Sequence, residues 1–398
     1  MRNKVKNNTF ICGYKRTPIG AFQGSLRNIP ATELGSIVIK SVIEQANISK
    51  DEIDEVIMGN VLSANLGQAP ARQAALGSDL SYKVECMTIN KVCGSGLKSI
   101  MLAEQSIQLG NTNIAIAGGM ENMSLAPYYL DKSRTGMGFG HKEVIDSILK
   151  DGLWDPYSDF AMGNCGEVLC KEEQYSRIDQ DNYAIESYKK SNKAIKNGEF
   201  KNEIVPVTIK SKKEDIIFDT DEEPLKFQEN KISKLRPAFS KDGTITAANA
   251  SSLSDGSAAV LLASEEEVNN KGLKPVAKII AHGSFATEPL YFTKAPIYAI
   301  EKVLALSNLK LNDIDLFEIN EAFSCVAMVA IDKLKIPLEK VNINGGAVSM
   351  GHPIGASGSR ILVTLLNALQ SRKLKYGVAA ICIGGGEASA MVIENCDL

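Results

Sequence analysis

Histidine is scarce in this 398-residue chain: only His141, His282 and His352 occur. Any mechanism that needs an imidazole therefore has three candidates. The eight cysteines (12, 86, 93, 165, 170, 325, 382 and 396) form no Cys-x-x-Cys pair and no Cys/His spacing suited to zinc. A chain of this length does not need disulfide staples. Reduced thiols are expected, most of them as small core residues. Net charge is only −3, which gives no global drive toward nucleic acid or an anionic membrane. An anionic ligand has to be held by local basic groups.

Long hydrophobic runs are also missing. None reaches the roughly 20 residues that span a bilayer. The first residues are basic, but a strand-like run, Phe10-Ile11-Cys12-Gly13-Tyr14, follows at once and leaves little room for a cleavable leader. The last residues, Asn-Cys-Asp-Leu, match no receptor-read address. The expected compartment is the cytoplasm, with a mitochondrial form whose leader is absent as the alternative.

Hydrophobic residues make up 44% and charged residues 23%, the balance of a folded globular chain. Its length predicts two or three units. Short apolar runs such as 113–117 and 378–381 enter glycine-rich turns, and helical periodicity covers 31–45 and 297–306. Alternating strands and helices predict an α/β fold with mostly parallel sheets.

Three stretches repeat in the same order at nearly constant spacing. Residues 51–63 resemble 312–324, with Asp54 matching Asp315. Residues 93–100 resemble 355–362, with Ser95-Gly96 matching Ser357-Gly358. Residues 116–121 resemble 382–387, ending on Glu121 and Glu387. Together they predict a duplicated α/β unit. The expected division is 1–121 plus 248–272 for the first half, 122–247 for an inserted loop domain with short helices, and 273–398 for the second half. Most of the charge-rich stretch 210–241 reads as solvated surface.

Four constellations can carry chemistry. Cys93 lies in Asn90-Lys91-Val92-Cys93-Gly94-Ser95-Gly96, where an apolar run meets a helical pattern. A thiol at a strand-to-helix turn is a candidate nucleophile, since a helix N-terminus favours thiolate and small neighbours admit a carbonyl. A buried packing cysteine is the competing reading. His352 sits between Gly351 and Pro353, off any regular element, whereas His141 and His282 read as structural. Cys382 precedes Gly384-Gly385-Gly386-Glu387, whose exposed N–H groups can hold an oxyanion. These glycines lack the spacing of a dinucleotide loop, which argues against a nicotinamide enzyme. Asn320-Glu321 closes the apolar run 316–319, either to cap the next helix or to hold a catalytic water.

With these residues in view, the sequence resembles the thiolase family, in particular its acetoacetyl-CoA-forming branch. The motifs are RTPIGAFQGSL (16–26), NKVCGSGLKSI (90–100), AGGMENMS (117–124), KLRPAF (234–239), GTITAANASSLSDGSAA (243–259), NEAF (320–323), NINGGAVSMGHPIGASG (342–358) and CIGGGEASAM (382–391). They span nearly the whole chain in family order. The resemblance implies a five-layered αβαβα fold of two related halves with an inserted loop domain, assembled as a homotetramer or, less often, a dimer. It implies transfer of acetyl from acetyl-CoA through acetyl-Cys93 to a second acetyl-CoA, giving acetoacetyl-CoA and CoA, or broader 3-ketoacyl-CoA thiolysis in reverse. His352 would activate Cys93, Cys382 would take the carbon-bound proton, Asn320 would bind a water at the enolate, and the N–H groups of Cys93 and Gly384 would hold the oxyanion. Coenzyme A would contact Ser251, Tyr188, Lys226, Lys231, Phe239 and Met162. No tightly held cofactor is implied, but potassium activation is, through Tyr188, Ala247, Ala248, Ala250 and Val348.

The chain also departs from common family patterns. Ala161-Met162-Gly163 stands in place of His-Met-Gly, CIGGGE in place of CNGGGG, and Thr293 follows Phe292 where the branched-substrate subgroup has proline. Fatty-acid synthases of related chemistry pair a cysteine with two histidines. Cys382 in place of the second histidine favours thiolase. A silent CoA-binding scaffold is disfavoured because all four catalytic positions are intact.

Overall fold

The structure, a computed structural model, describes residues 8–397. Its centre is a ten-stranded sheet that divides into two matching halves. In the first half the strands run in the order Thr9–Arg16, Ser254–Ser264, Ile114–Asn122, Glu55–Gly59, Glu85–Ile89. In the second the order is Ala277–Ala286, Glu387–Asn395, Tyr376–Ile383, Leu316–Ile319. Val341 then adds a single bridge to Phe317, where the first half has its last strand. The halves meet through a short antiparallel pairing at Phe10–Lys278 and Ile11–Ala277.

Side-chain alternation along these strands builds five layers. Ile114 and Ile116 face one way, against Val38, Val42 and Ala74 of helices Ala31–Ala46 and Pro70–Gly77. Ala115 and Ala117 face the other way, toward helices Ser95–Leu109 and Ser357–Arg372. The second half repeats the pattern. Ala379 and Ile381 face the same central helices. Val378, Ala380 and Cys382 pack on helices Ala295–Ser307 and Ser324–Leu334. The order is therefore helix, sheet, helix pair, sheet, helix. The two central helices touch near their N-termini. A Cβ on Gly96 would lie 2.8 Å from Ser359 N, and one on Gly358 would lie 2.4 Å from Leu97 N. That mutual approach explains the Ser-Gly match between the repeats.

Three expectations change. The sheet is mixed rather than mostly parallel. Ile114–Asn122 and Ser254–Ser264 are antiparallel, as are Tyr376–Ile383 and Glu387–Asn395. The second pair is a hairpin closed by three glycines. The first is the same hairpin with residues 123–253 inserted at its tip, which hides it in the sequence. For the same reason the third repeat is out of register. Strand Ile114–Asn122 corresponds to Tyr376–Ile383, so Glu387 lies beyond the turn. Finally, the insertion holds a 21-residue helix, Arg177–Asn197, rather than short helices alone. Ser176 caps it, with the Asp179 side chain answering on the Ser176 N–H. No helix among the described residues is long and apolar enough to cross a membrane.

Candidate functional site

The loop of Cys93, the expected nucleophile, is built between a strand and a helix. Strand Glu85–Ile89 ends, and helix Ser95–Leu109 starts after Gly94. Asn90 Oδ1 accepts the Val92 N–H at 2.9 Å. Ser95 Oγ accepts the Lys91 N–H at 2.8 Å and donates to Val92 O at 2.7 Å. The Cys93 residue is partly exposed and lines a cavity of about 370 Å³. That volume suits a small-molecule site. Crowding around the sulfur nevertheless raises its pKa to about 11. The nearby N–H groups of Gly384 and of Cys93 itself oppose that rise. The helix terminus alone does not make a thiolate here. The resting group is a thiol and needs a base.

His352 opens on the same cavity. Gly351, with φ of 102°, turns the chain into it, and a Cβ there would lie 2.1 Å from Ser254 Oγ. The His352 N–H donates to Ser252 O at 3.0 Å. Its Nδ1 lies 2.5 Å from Ser357 Oγ, while the Ser357 hydroxyl donates to Pro353 O at 2.9 Å. The serine proton is committed to the carbonyl, so Ser357 accepts from Nδ1–H. Nε2 then carries the free lone pair, and it has no protein partner. Burial first, and the charge of Arg360 second, pull the His352 pKa down to about 3. A neutral imidazole with its lone pair free is a base ready to accept.

Cys382 and Asn320 stand behind this surface. Both are fully buried. The Cys382 pKa is pushed up by burial and then by proximity to Cys93, against N–H groups of Cys382 and Ala322. Both side-chain polar atoms of Asn320 lack a protein partner, which is unusual for a buried amide. Neither Asn320 nor Glu321 caps the next helix, whose N-cap is Phe323.

The remaining expected contacts divide between two cavities. Met162, Phe239 and Ser251 line the first with Cys93, His352 and Gly384. The Ser251 hydroxyl donates to Ala322 O at 3.0 Å, which leaves its oxygen able to accept an amide N–H. Tyr188, Lys226 and Lys231 line a second cavity of about 200 Å³. Ala247 lines both and joins them. Tyr188 stacks on Phe227, with ring centroids 4.9 Å apart. For potassium, Ala248 joins Tyr188 and Ala247 at the second cavity, and Ala250 lies on the first. Among the described residues no backbone N–H donates to the carbonyls of Ala247 or Ala248. Free carbonyls beside a phenol, without a carboxylate cluster, fit a monovalent cation. Val348 lines neither cavity, and its N–H is taken by Glu321 at 3.1 Å.

Comparison with known proteins agrees with this geometry. Residues 9–266 match the N-terminal thiolase domain and residues 273–395 the C-terminal thiolase domain. The chain belongs to the thiolase family. It is 51% identical over 387 residues to acetyl-CoA acetyltransferase 2 of Arabidopsis thaliana, covering 96% of each chain. It is 49% identical to acetyl-CoA acetyltransferase of Yarrowia lipolytica, over 98% of this chain and 97% of that one. The fold matches Acat5 thiolase from Ascaris suum in complex with coenzyme A at a TM-score of 0.94, with 44% identity, covering 98% and 100% of the two chains. It matches the Bacillus anthracis acetyl-CoA acetyltransferase at 0.96, with 38% identity, covering 99% and 100%.

Two carboxylates of this thiolase take a role that the sequence did not reveal. Glu121 is buried and accepts from Asn60 Nδ2 at 2.9 Å and from the N–H groups of Val61, Leu62 and Gly355 at 3.0, 3.2 and 2.9 Å. Glu321 is buried and accepts from Tyr183, Ser187 and Asn342 at 2.9, 2.9 and 2.7 Å, besides Val348. One carboxylate grips the His352 loop after the histidine and the other before it. Their only sequence signal was an acidic residue embedded in an apolar or glycine-rich stretch.

Proposed function

We propose that this thiolase is an acetyl-CoA acetyltransferase that condenses two acetyl-CoA to acetoacetyl-CoA and CoA, reversibly, through acetyl-Cys93. The observation that carries the reading is the convergence of Cys93, His352 and Gly384 on one apolar cavity with Cys382 directly behind it.

In the first half-reaction, His352 Nε2 accepts the Cys93 proton as sulfur attacks the acetyl carbonyl. The N–H groups of Cys93 and Gly384 receive the oxyanion. On collapse the CoA thiolate leaves and takes the Cys382 proton. Acetyl-Cys93 can no longer ionise, and the positive charge now on His352 favours the Cys382 thiolate. The Cys382 thiolate removes a proton from the methyl of the second acetyl-CoA. Protonated His352 and a water on Asn320 hold the enolate oxygen, and the carbanion attacks the acetyl group. Cys93 leaves as thiolate and recovers the His352 proton. All protons balance over the cycle. An α-thioester proton is weakly acidic, so a dry, close base with simultaneous enolate stabilisation is what the chemistry needs.

The first cavity suits pantetheine and the acyl group, and Lys226 and Lys231 at the second suit the phosphates. Potassium at the Ala247 and Ala248 carbonyls would stiffen the joint between them. Replacing potassium by sodium then lowers CoA affinity or rate, and unchanged values for both remove the cation from the account. For assembly, we infer a homotetramer. Tyr128, Met137, Phe139 and Val144 are exposed on one inserted segment, and apolar side chains gathered in this way suit an interaction surface. A sedimentation mass of one chain overturns this.

The deciding experiment is incubation with labelled acetyl-CoA. Stoichiometric label on Cys93, CoA thiol release and acetoacetyl-CoA are expected. No label and no thiol release refute the reading.

A further inference from the structure

Lys91 and Glu387 form an ion pair across the gap between the two loops that carry the chemistry. Lys91 lies two residues before Cys93. Glu387 lies just after the Gly384–Gly386 turn that follows Cys382. Both side chains are more than half buried, at 23% and 35% exposure. Neither lines the two cavities. The mechanism above uses neither.

Between Lys91 and Cys93 stands Val92, with φ of +44°. A β-branched residue avoids that left-handed conformation. Such a conformation persists only where the surroundings over-determine it. The bonds from Asn90 and Ser95 brace the turn from within. The Lys91–Glu387 pair braces it from across the gap. On the cavity side of that gap Cys93 and Gly384 line the same wall, with the Gly384 N–H near enough to lower the Cys93 pKa. One loop thus supplies the sulfur and the other that N–H, and the ion pair joins the two loops beside them. The other cation within reach of both charges is Lys98, whose pKa is lowered by burial and then by Lys91.

We propose that the Lys91–Glu387 ion pair is a positioning clamp that sets the Cys93 sulfur against the Gly384 N–H and so governs acylation of Cys93 rather than binding of CoA. The proposal rests on the acyltransferase reading for its kinetic consequence but not for its structural one.

The test uses the full chain as K91M, E387Q and the exchanged pair K91E/E387K. Three quantities are read: the CoA burst from acetyl-CoA, CoA affinity with thermal midpoint, and the rate of Cys93 alkylation by iodoacetamide at pH 9. Each single variant is expected to slow the burst about tenfold, since a small misplacement of reacting groups is costly. Alkylation slows several-fold because the thiolate loses its donor. CoA affinity stays within about twofold, and the exchanged pair recovers most of both rates. An exposed ion pair of no consequence predicts wild-type rates in all variants. That result overturns the clamp. Loss of rate that the exchanged pair does not restore, or loss of CoA affinity in parallel, overturns it too. A wild-type protein that releases no CoA refutes the acyltransferase reading instead, and the alkylation rates still decide the clamp.

Discussion

Ser357 fixes which nitrogen of His352 is the base. The hydroxyl proton is directed at Pro353 O, so the oxygen 2.5 Å from Nδ1 can only accept. Ser357→Ala frees the ring to take the other tautomer and to turn. A fall in kcat of roughly ten- to a hundredfold is expected, a part of the roughly 10²–10⁴-fold that a general base contributes, because the base stays and only its orientation is lost. CoA affinity should be unchanged. Steady-state kinetics with a CoA titration check this.

In the proposed cycle Cys93 and Cys382 divide the work. Cys93→Ser should bind CoA and form no acetyl-enzyme that turns over. Cys382→Ser should exchange label between acetyl-CoA and CoA yet yield no acetoacetyl-CoA. If both variants lose the same steps, the division is wrong.

The Cys93 thiol of the free enzyme titrates near pH 11, above the ordinary range, because burial disfavours the thiolate. Iodoacetamide should therefore alkylate it ever faster from pH 7 to beyond pH 10, without levelling near pH 9. His352 stays neutral throughout, since its pKa is near 3. Mass-resolved alkylation across pH checks the profile, and a plateau below pH 9 contradicts it.

Glu121 offers a stability test. Its pKa in the fold is raised to about 7 by burial, against the N–H groups of Val61, Leu62 and Gly355, with a smaller upward push from the charge of Asp255. A carboxyl raised in this way contributes stability that is full below its unfolded pKa of 4.5 and is lost as pH rises through 7. Glu121→Gln turns an amide N–H₂ toward those donors and should cost about 2 kcal/mol. The cost should be larger at pH 5 than at pH 8. Urea midpoints of both proteins at the two pH values measure it.

Much of this site could be read from the sequence because its parts are local. Glycine and proline flank His352, a strand and a helix pattern flank Cys93, and three glycines follow Cys382. What was hidden depends on distance along the chain. Glu121 grips Gly355, and Glu321 grips Val348, across folds that spacing does not reveal. Asn320 was marked as a buried polar residue, but only the structure shows that both its amide atoms lack protein partners. The mixed sheet escaped because the insertion separates two strands that pair directly. The rise of the Cys93 pKa escaped because a helix terminus is visible in sequence and crowding is not.

The hairpin tip occurs twice in this molecule. In one copy, three glycines close it and present an N–H to the reacting sulfur. In the other, the same corner has been opened and holds all of residues 123–253, including the lysines and the long helix beside the second cavity. Both corners reach the first cavity, and they differ in what they carry there. In the proposed cycle one makes bonds, while its twin is the hand that holds the carrier. New carrier preferences can thus be grafted at the second corner without disturbing the first.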